Sequence, residues 1–364
     1  MTTTSSRIFN FSAGPAVMPE AVLERIREDV WNIDDSGIGV LEHSHRGPVI
    51  DRVFDEAIER CRSLARLGDD HEVLFLPGGA SMQFGMIPMS YLPNDATADY
   101  PDTGTWTSKA IKEAKKFGSV NVAFDGSACG YDHCPKADEL SLTPGAAYLH
   151  YCSNNTIYGT RYAAPPVTNA PLVCDASSDM FARPWPFADH AIVYAGAQKN
   201  LGPSGLALII IRKDMLEKGC RETIDLLDYR KQADQGSRLN TPPVFGVYCM
   251  GLVFEWIIEQ GGLIGIAEKN TAKSKVIYDA IDGSGGFYRG HAQNDSRSEM
   301  NVTFRLPNED LEKVFVTEAK SHDMDGLKGH RSVGGIRASI YNAFPIEGCR
   351  SLAGFMADFA TKNG

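Results

Sequence analysis

No stretch of this sequence stays apolar for long. The longest unbroken run, Leu206 to Ile211, is far below the roughly 20 residues that a membrane-crossing helix needs. Met1 to Phe11 is polar and lacks the apolar centre of a secretory leader, so a cytoplasmic protein with no membrane partner is expected. Positive charge is scarce too: 36 Lys and Arg stand against 46 Asp and Glu, a formal net charge of −10. That balance disfavours a general role on nucleic acid, whose phosphates attract a basic face. Eight cysteines are scattered without a C-x-x-C pair, which fits reduced structural thiols and offers no metal-ligand spacing. Neither G-x-G-x-x-G nor a Walker loop follows an early strand, so the usual nucleotide cradles are missing. Internal repeats and low-complexity segments are missing as well.

What is there is a chain of 364 residues, long enough for a large core and two domains. Apolar spacing predicts helices over about 19–31, with Val22, Ile26 and Val30 on one face, and over about 49–67, with Val53, Ala57, Cys61 and Leu64 aligned. Strands are expected at 72–76, 120–124, 147–152, 172–174, 192–195 and 206–211, and a further helix at 108–117. The strands are continuously apolar and alternate with helices, the signature of a mostly parallel sheet covered on both faces. A long apolar helix over 242–260 ends at Gly261-Gly262. Beyond it the pattern changes to helices at 263–282, 309–321 and 346–362 with strands at 300–306 and 338–341, a smaller α+β unit.

Lys199 stands out, because the Gly/Pro/Ser-rich turn around it lies between the strand patterns at 192–195 and 206–211. A lysine at the edge of a buried sheet has its pKa lowered, which suits Schiff-base formation; the alternative is a solvated loop lysine. Leu76-Pro-Gly-Gly-Ala-Ser-Met-Gln-Phe84 runs from a strand into a helix start, where small residues let backbone N–H groups approach an anion. Gly-Gly there also serves ordinary turns. Asp175 directly follows the apolar triplet 172–174, at the strand end where α/β proteins bind ligands, although an Asx turn would place it there equally. An imine-forming amine, a carboxylate for a cationic ring nitrogen and an anion cradle are together what pyridoxal 5'-phosphate requires. Trp106 is a candidate stacking ring or a core residue, and Thr156 a hydroxyl donor or part of an Asx turn.

On these residues the chain resembles the phosphoserine aminotransferase family of class V, fold-type I pyridoxal-phosphate enzymes. The resemblance runs from Ile8-Phe-Asn-Phe-Ser-Ala-Gly-Pro15 almost to the C-terminus. It is carried by Ser44-His-Arg-Gly47, Ala98-Asp-Tyr100 with Trp106, Ile192-Val-Tyr-Ala-Gly-Ala-Gln-Lys-Asn200, Asn240-Thr-Pro-Pro243, Leu327-Lys-Gly-His-Arg331 and Gly334-Gly-Ile-Arg-Ala-Ser-Ile-Tyr-Asn342. It implies an α/β fold with a mostly parallel seven-stranded sheet, a large cofactor-binding domain over 16–262 and a small α+β domain made of 1–15 plus 263–364. It makes Lys199 the Schiff-base lysine, Asp175 the partner of the ring nitrogen, Trp106 the stacking ring and Thr156 the hydroxyl near the phenolate oxygen. Ala80 and Ser81 would bind the cofactor phosphate with help from Gln198, and Asn240 and Thr241 would reach it from the neighbouring subunit of a homodimer. Arg337 would hold a substrate α-carboxylate, and His45, Arg46, His330 and Arg331 the distal phosphate or carboxylate.

The implied reaction is transamination between L-glutamate and 3-phosphohydroxypyruvate, giving O-phospho-L-serine; some relatives also serve the phosphorylated threonine step of pyridoxine biosynthesis. Two departures stand out. Where many members have Gly-Gly-Gly-Arg or Gly-Gly-Gly-Cys this chain has Gly78-Gly-Ala-Ser81, and Ala13 replaces a serine found in some relatives. Competing readings are another class V enzyme such as a cysteine desulfurase, a non-catalytic protein on the same fold, and a dinucleotide-dependent dehydrogenase. The desulfurase lacks a reactive cysteine in a Gly/Ser loop, the degenerate relative should have lost Lys199, Asp175 or Arg337, and the dehydrogenase lacks its glycine fingerprint.

Overall fold

The computed structural model describes residues 7–364. In chain order the elements are β1 (Phe9–Asn10), α1 (Glu20–Asp29), α2 (Pro48–Ala65), β2 (His71–Pro77), α3 (Ala80–Tyr91), β3 (Thr97–Asp102), α4 (Thr105–Ala114), β4 (Ser119–Asp125), β5 (Leu149–Cys152), β6 (Asn154–Asn155), β7 (Thr160–Arg161) and β8 (Leu172–Asp175). They continue with β9 (Ile192–Gly196), β10 (Leu206–Arg212), α5 (Lys213–Leu216), α6 (Tyr229–Asp234), α7 (Val244–Glu259), α8 (Gly262–Asp282), β11 (Arg289–Gly290), β12 (Asn301–Arg305), α9 (Glu309–Ser321), β13 (Met324–Asp325), β14 (Ile336–Ser339) and α10 (Ile346–Asn363).

A seven-stranded sheet runs in the order β2-β10-β9-β8-β5-β3-β4. Every neighbouring pair from β9 to β4 is parallel, and β10 is antiparallel to both β2 and β9. The mixed pattern has a simple origin: the turn that carries Lys199 joins β9 to β10 directly, and a short connection can only return the chain antiparallel. The all-apolar strands are buried on both faces, as Ile192–Ala195 and Leu206–Ile211 show. One face packs on α2 and α7 through Val53, Ala57, Cys61, Leu64, Val253 and Phe254. The other packs on α3 and α4 through Phe84, Ile87, Ala110 and Ile111. A separate core joins Phe11 to Ile277, Val302, Phe315, Ile336, Leu352 and Phe359 around the sheet β11-β12-β14. β1 pairs in parallel with β13 and brings the N-terminal segment to that core.

Some expectations are corrected. β3 carries no strand signal in the sequence, since Asp99, Pro101 and Asp102 are poor strand formers, yet it lies inside the sheet between β5 and β4. Its register shifts between Tyr100 and Pro101, and Asp99, fully buried, accepts from the Asn121 side chain at 2.9 Å and the Thr143 amide at 2.9 Å. α4 begins at Thr105, not Ser108, because Asp102 accepts from Gly104 N at 3.1 Å and from the hydroxyls of Thr107 and Ser108 at 3.0 Å. Val30 is exposed instead of sharing the buried face of α1 with Val22. β14 starts at Ile336, so Arg337 lies on a strand and not before it. Among the described residues no single helix is long and apolar enough to cross a membrane; α7 and α8 pass only as a pair, bent by 82°.

Candidate active site

The carboxyl ends of β2, β3, β5, β8 and β9 lie along one edge of the main sheet, and β10 begins there. Most of the chemistry read from the sequence therefore converges. β2 leads into Gly78-Gly79 and the start of α3, β3 into Trp106, β5 into Thr156, β8 ends at Asp175, and β9 leads into Gln198 and Lys199. A cavity of about 420 Å³ at this edge is lined by Ala80, Ser81, Trp106, Asp175, Gln198 and Lys199 among others.

The floor of the cavity is the N-terminus of α3. Gly79 precedes it with φ 74°, a conformation that side chains with a Cβ rarely adopt. No side chain caps this helix, so its first amide groups and the positive end of its dipole are free to hold an anion. Gly104 is needed for closeness: a Cβ there would stand 2.5 Å from the Asn155 side-chain nitrogen. Its absence lets the first turn of α4, with Trp106, approach the segment that carries Thr156.

The Lys199 amine donates to Thr156 Oγ1 at 2.6 Å and lies 5.4 Å from the centre of the Trp106 ring. Burial lowers its pKa, against the opposing pull of Asp175, while Arg337 lowers it further. Asp175 is 4 % exposed. Its Oδ1 accepts from Ser177 N at 3.0 Å and Ser177 Oγ at 2.6 Å, and Oδ2 has no hydrogen bond among the described residues. Burial pushes this carboxyl up despite those bonds and Lys199, as expected for a carboxylate held without a full counter-charge. The Asx turn and the functional reading thus coexist on its two oxygens. The Asx turn near Thr156 belongs to Asn155, whose Oδ1 accepts from the amides of Ile157 and Tyr158, leaving Thr156 free for the lysine. The indole N–H of Trp106 is buried without a partner, a donor that costs about 1–3 kcal/mol when left unmet.

A flat, anionic, aldehyde-bearing ring with a basic nitrogen fits these residues. The uncapped helix start suits its phosphate, the depressed amine its aldehyde, and the under-compensated Asp175 a protonated nitrogen. Pyridoxal 5'-phosphate has all of these groups.

Arg337 reaches the same edge from β14. Its Nη1 donates to Thr156 O at 3.4 Å, and its buried Nε has no partner. His330 and Arg331 sit in the loop before β14 and line a second cavity of about 670 Å³. Burial lowers the pKa of His330, and the nearby cations Arg337, Arg331 and Lys109 lower it further. These basic groups are therefore brought together, and Lys109, 4.7 Å from the Trp106 ring centre, joins them.

The remaining residues are not. His45 and Thr241 line a different cavity of about 440 Å³, which shares only Ser204 and Gly205 with the first. Arg46, Asn240 and Thr241 are exposed. Sequence reasoning missed Ser177, Lys109 and the Tyr341 hydroxyl, which donates to Ala13 O at 2.7 Å. The serine was visible in Asp175-Ala-Ser-Ser178, where it bonds the aspartate two residues before it, and Tyr341 in the motif after Arg337, although its partner Ala13 is distant in sequence.

Known proteins share this fold. The family model described as aminotransferase class-V matches residues 8–352. The phosphoserine aminotransferase of Herpetosiphon aurantiacus is 51 % identical over 358 residues, 98 % of this chain and 99 % of the relative. A solved structure of phosphoserine aminotransferase from Bacillus circulans subsp. alkalophilus superposes with a TM-score of 0.97 at 47 % identity, covering 99 % of this chain and 100 % of that one. The pyridoxal-phosphate-bound phosphoserine aminotransferase from Trichomonas vaginalis gives 0.92 at 37 % identity, with 96 % and 100 % covered. This chain belongs to the class V aminotransferase family.

Proposed function

We infer that the chain transfers the amino group of L-glutamate to 3-phosphohydroxypyruvate, yielding O-phospho-L-serine and 2-oxoglutarate, with pyridoxal 5'-phosphate as cofactor. One observation carries the reading: a lysine amine of lowered pKa, held by Thr156, shares a cavity with an under-compensated aspartate and an uncapped helix start.

When bound, the cofactor supplies an electrophilic carbon and an electron-withdrawing ring. Lys199 would hold it, Ala80 and Ser81 would present backbone N–H groups to its phosphate with Gln198 beside them, and Trp106 would cover the ring. Asp175 would hold the ring nitrogen protonated, because a carboxylate buried at that point favours a cation. Thr156 orients the Lys199 amine. Lowered pKa leaves more of that amine unprotonated near neutrality, so Nζ can remove the proton from the substrate Cα and return it. Arg337, with its unpartnered Nε, clamps the α-carboxylate common to both substrates, and its place beside Thr156 sets that Cα near the amine. His330 and Arg331 bind the distal phosphate of the keto acid or the side-chain carboxylate of glutamate.

His45, Arg46, Asn240 and Thr241 complete the site from the second subunit of a homodimer. Their position outside the cavity of their own chain supports this reading, as does the run of exposed apolar residues Val30, Trp31, Ile38 and Leu41 just before His45, with Trp31 85 % exposed. His45 and Thr241 line one cavity and so act as a unit. We further assign residues 16–262 to a cofactor-binding domain and 1–15 plus 263–364 to a smaller one. The separate core uniting Phe11 with residues beyond 277 supports the division; residues 1–6 lie outside the described part. All eight cysteines are free and six are buried, in keeping with a cytoplasmic enzyme.

The test mixes purified protein, cofactor, glutamate and 3-phosphohydroxypyruvate and follows O-phosphoserine formation. A charge-assisted hydrogen bond is worth roughly 1.5–3 kcal/mol, so hydroxypyruvate, lacking the phosphate and two such bonds, should be turned over less well by on the order of a hundredfold or more. Equal turnover of the two would refute the phosphate assignment.

A further inference from the structure

Lys273, on α8, is 3 % exposed, a rare state for lysine unless it is paired. No acidic side chain stands against it; the titratable groups that face it are the Cys349 thiol on α10 and Lys269 on its own helix. Its ammonium donates instead to three consecutive backbone carbonyls, of Ile340 at 3.0 Å, Tyr341 at 2.6 Å and Asn342 at 3.3 Å. Three N–H donors meet three acceptors, a match only lysine among the side chains offers from one atom.

Those carbonyls occupy a particular place. They follow β14 directly, three to five residues after Arg337. Asn342 N donates to Asn200 Oδ1 at 3.0 Å, and Asn200 is the neighbour of Lys199. The Asn342 side chain donates to Phe181 O at 3.0 Å. One turn before Lys273 on α8, Asn270 donates to Asn342 Oδ1 at 2.9 Å and to Ala182 O at 3.0 Å. Residues 340–342 are thus the junction where the strand bearing Arg337 is fastened to the turn bearing Lys199, and Lys273 gathers that junction from behind.

We propose that Lys273 is a positioning residue that sets the separation between the Arg337 guanidinium and the Lys199 amine, and through it the seating of the amino-acid substrate. The proposal rests on the roles given above to Arg337 and Lys199. Without the ammonium the buried carbonyls of Ile340 and Asn342 lose their donor, Tyr341 O keeps only the Phe344 amide at 2.9 Å, and the segment must move to find others. Arg337 moves with it, because a paired β-strand transmits a shift along its length, and a misplacement near 1 Å can cost on the order of a hundredfold in rate.

The experiment compares the wild-type holoenzyme with Lys273→Met, which keeps the stem and removes the donors, and Lys273→Gln, which keeps two. The expected result is a rise in KM for both glutamate and the keto acid, about tenfold in Met and smaller in Gln, with cofactor content and its absorbance unchanged. A double-mutant cycle with Arg337→Lys should be strongly non-additive, since both changes act on one guanidinium. Unchanged KM values at a temperature where the variant is folded, or additive effects in the cycle, overturn the proposal. Should the Met variant not fold, the Gln variant and its cycle decide by the same criteria. A wild-type enzyme that binds cofactor but fails to transaminate would indict the proposed function, whereas a working wild type with kinetically silent Lys273 variants indicts this inference alone.

Discussion

The two ends of the candidate site are made differently. At the cofactor end, Lys199, Thr156, Asp175, Trp106 and the start of α3 come from five strand ends of a single sheet; the first four side chains are buried or half-buried, and Lys199, Thr156 and Asp175 already make short hydrogen bonds. At the distal end, His45, Arg46, Asn240 and Thr241 sit on loops, largely exposed and away from the cavity of their own chain. The first end is built within one polypeptide. On the homodimer proposed above the second would be completed by another copy, so the cofactor's phosphate, through Asn240 and Thr241, and the substrate, through His45 and Arg46, would both draw on the assembly.

The contrast can be broken most forcefully at its built end. If Lys199 has the proposed roles of anchor and Cα base, Lys199→Ala should lower turnover by about 10³-fold or more and remove the covalently bound cofactor signal; a variant of near-normal rate would end the assignment. Asp175→Asn should cost on the order of a hundredfold in kcat and weaken cofactor retention, read by turnover and by cofactor remaining after gel filtration. Arg337→Lys, which surrenders a bidentate grip, should reduce kcat/KM roughly 10- to 100-fold with the cofactor spectrum intact.

The shared end calls for a gentler test. Chains carrying Lys199→Ala and chains carrying Arg46→Ala, each poorly active alone, should recover roughly a quarter of wild-type activity when unfolded and refolded together, since half of the random dimers contain one intact site of two. No recovery would place Arg46 in the same site as its own lysine.

The smallest effect concerns stability and belongs to the sheet alone. Burial pulls His150 down to about 3 and His190 to about 4, and their Nε2 atoms meet the Tyr194 and Tyr151 hydroxyls at 2.8 and 2.7 Å. In the unfolded chain both histidines take up a proton near pH 6.5, whereas the folded ones remain neutral until those lower values. The unfolded state therefore binds more protons between about 6.5 and 4, and stability should fall with falling pH by about 1.4 kcal/mol per unit for each group. Urea unfolding across that range should show it, and His190→Gln should reduce the slope by one proton.

Much of this was legible in the sequence, and the exceptions share a cause. Six of the seven main strands announced themselves through short apolar or β-branched runs, fully buried in β9 and most of β10 and alternating with polar residues in the exposed edge strand β4. β3 did not, because Asp99 is tolerated through partners, Asn121 and Thr143, that no local pattern reveals, and Pro101 sits at a register shift. Lys199 and Asp175 were readable because strand ends are predictable places. Lys109, Ser177 and the junction at 340–342 were not, since their roles arise from contacts between segments a hundred or more residues apart or from which face of a short turn points inward.

β10 separates β2 from β9, with Pro77 opposite Leu206 and Gly196 opposite Ala207. The start of α3 nevertheless reaches across the end of β10 to β9, for a Cβ at Gly196 would stand 3.4 Å from Ala80 N and 2.8 Å from Gln198 Oε1. Any side chain at position 196 would enter the narrow space between the helix start, Gln198 and the last strand residue, so the width of this side of the pocket depends on an atom the chain omits.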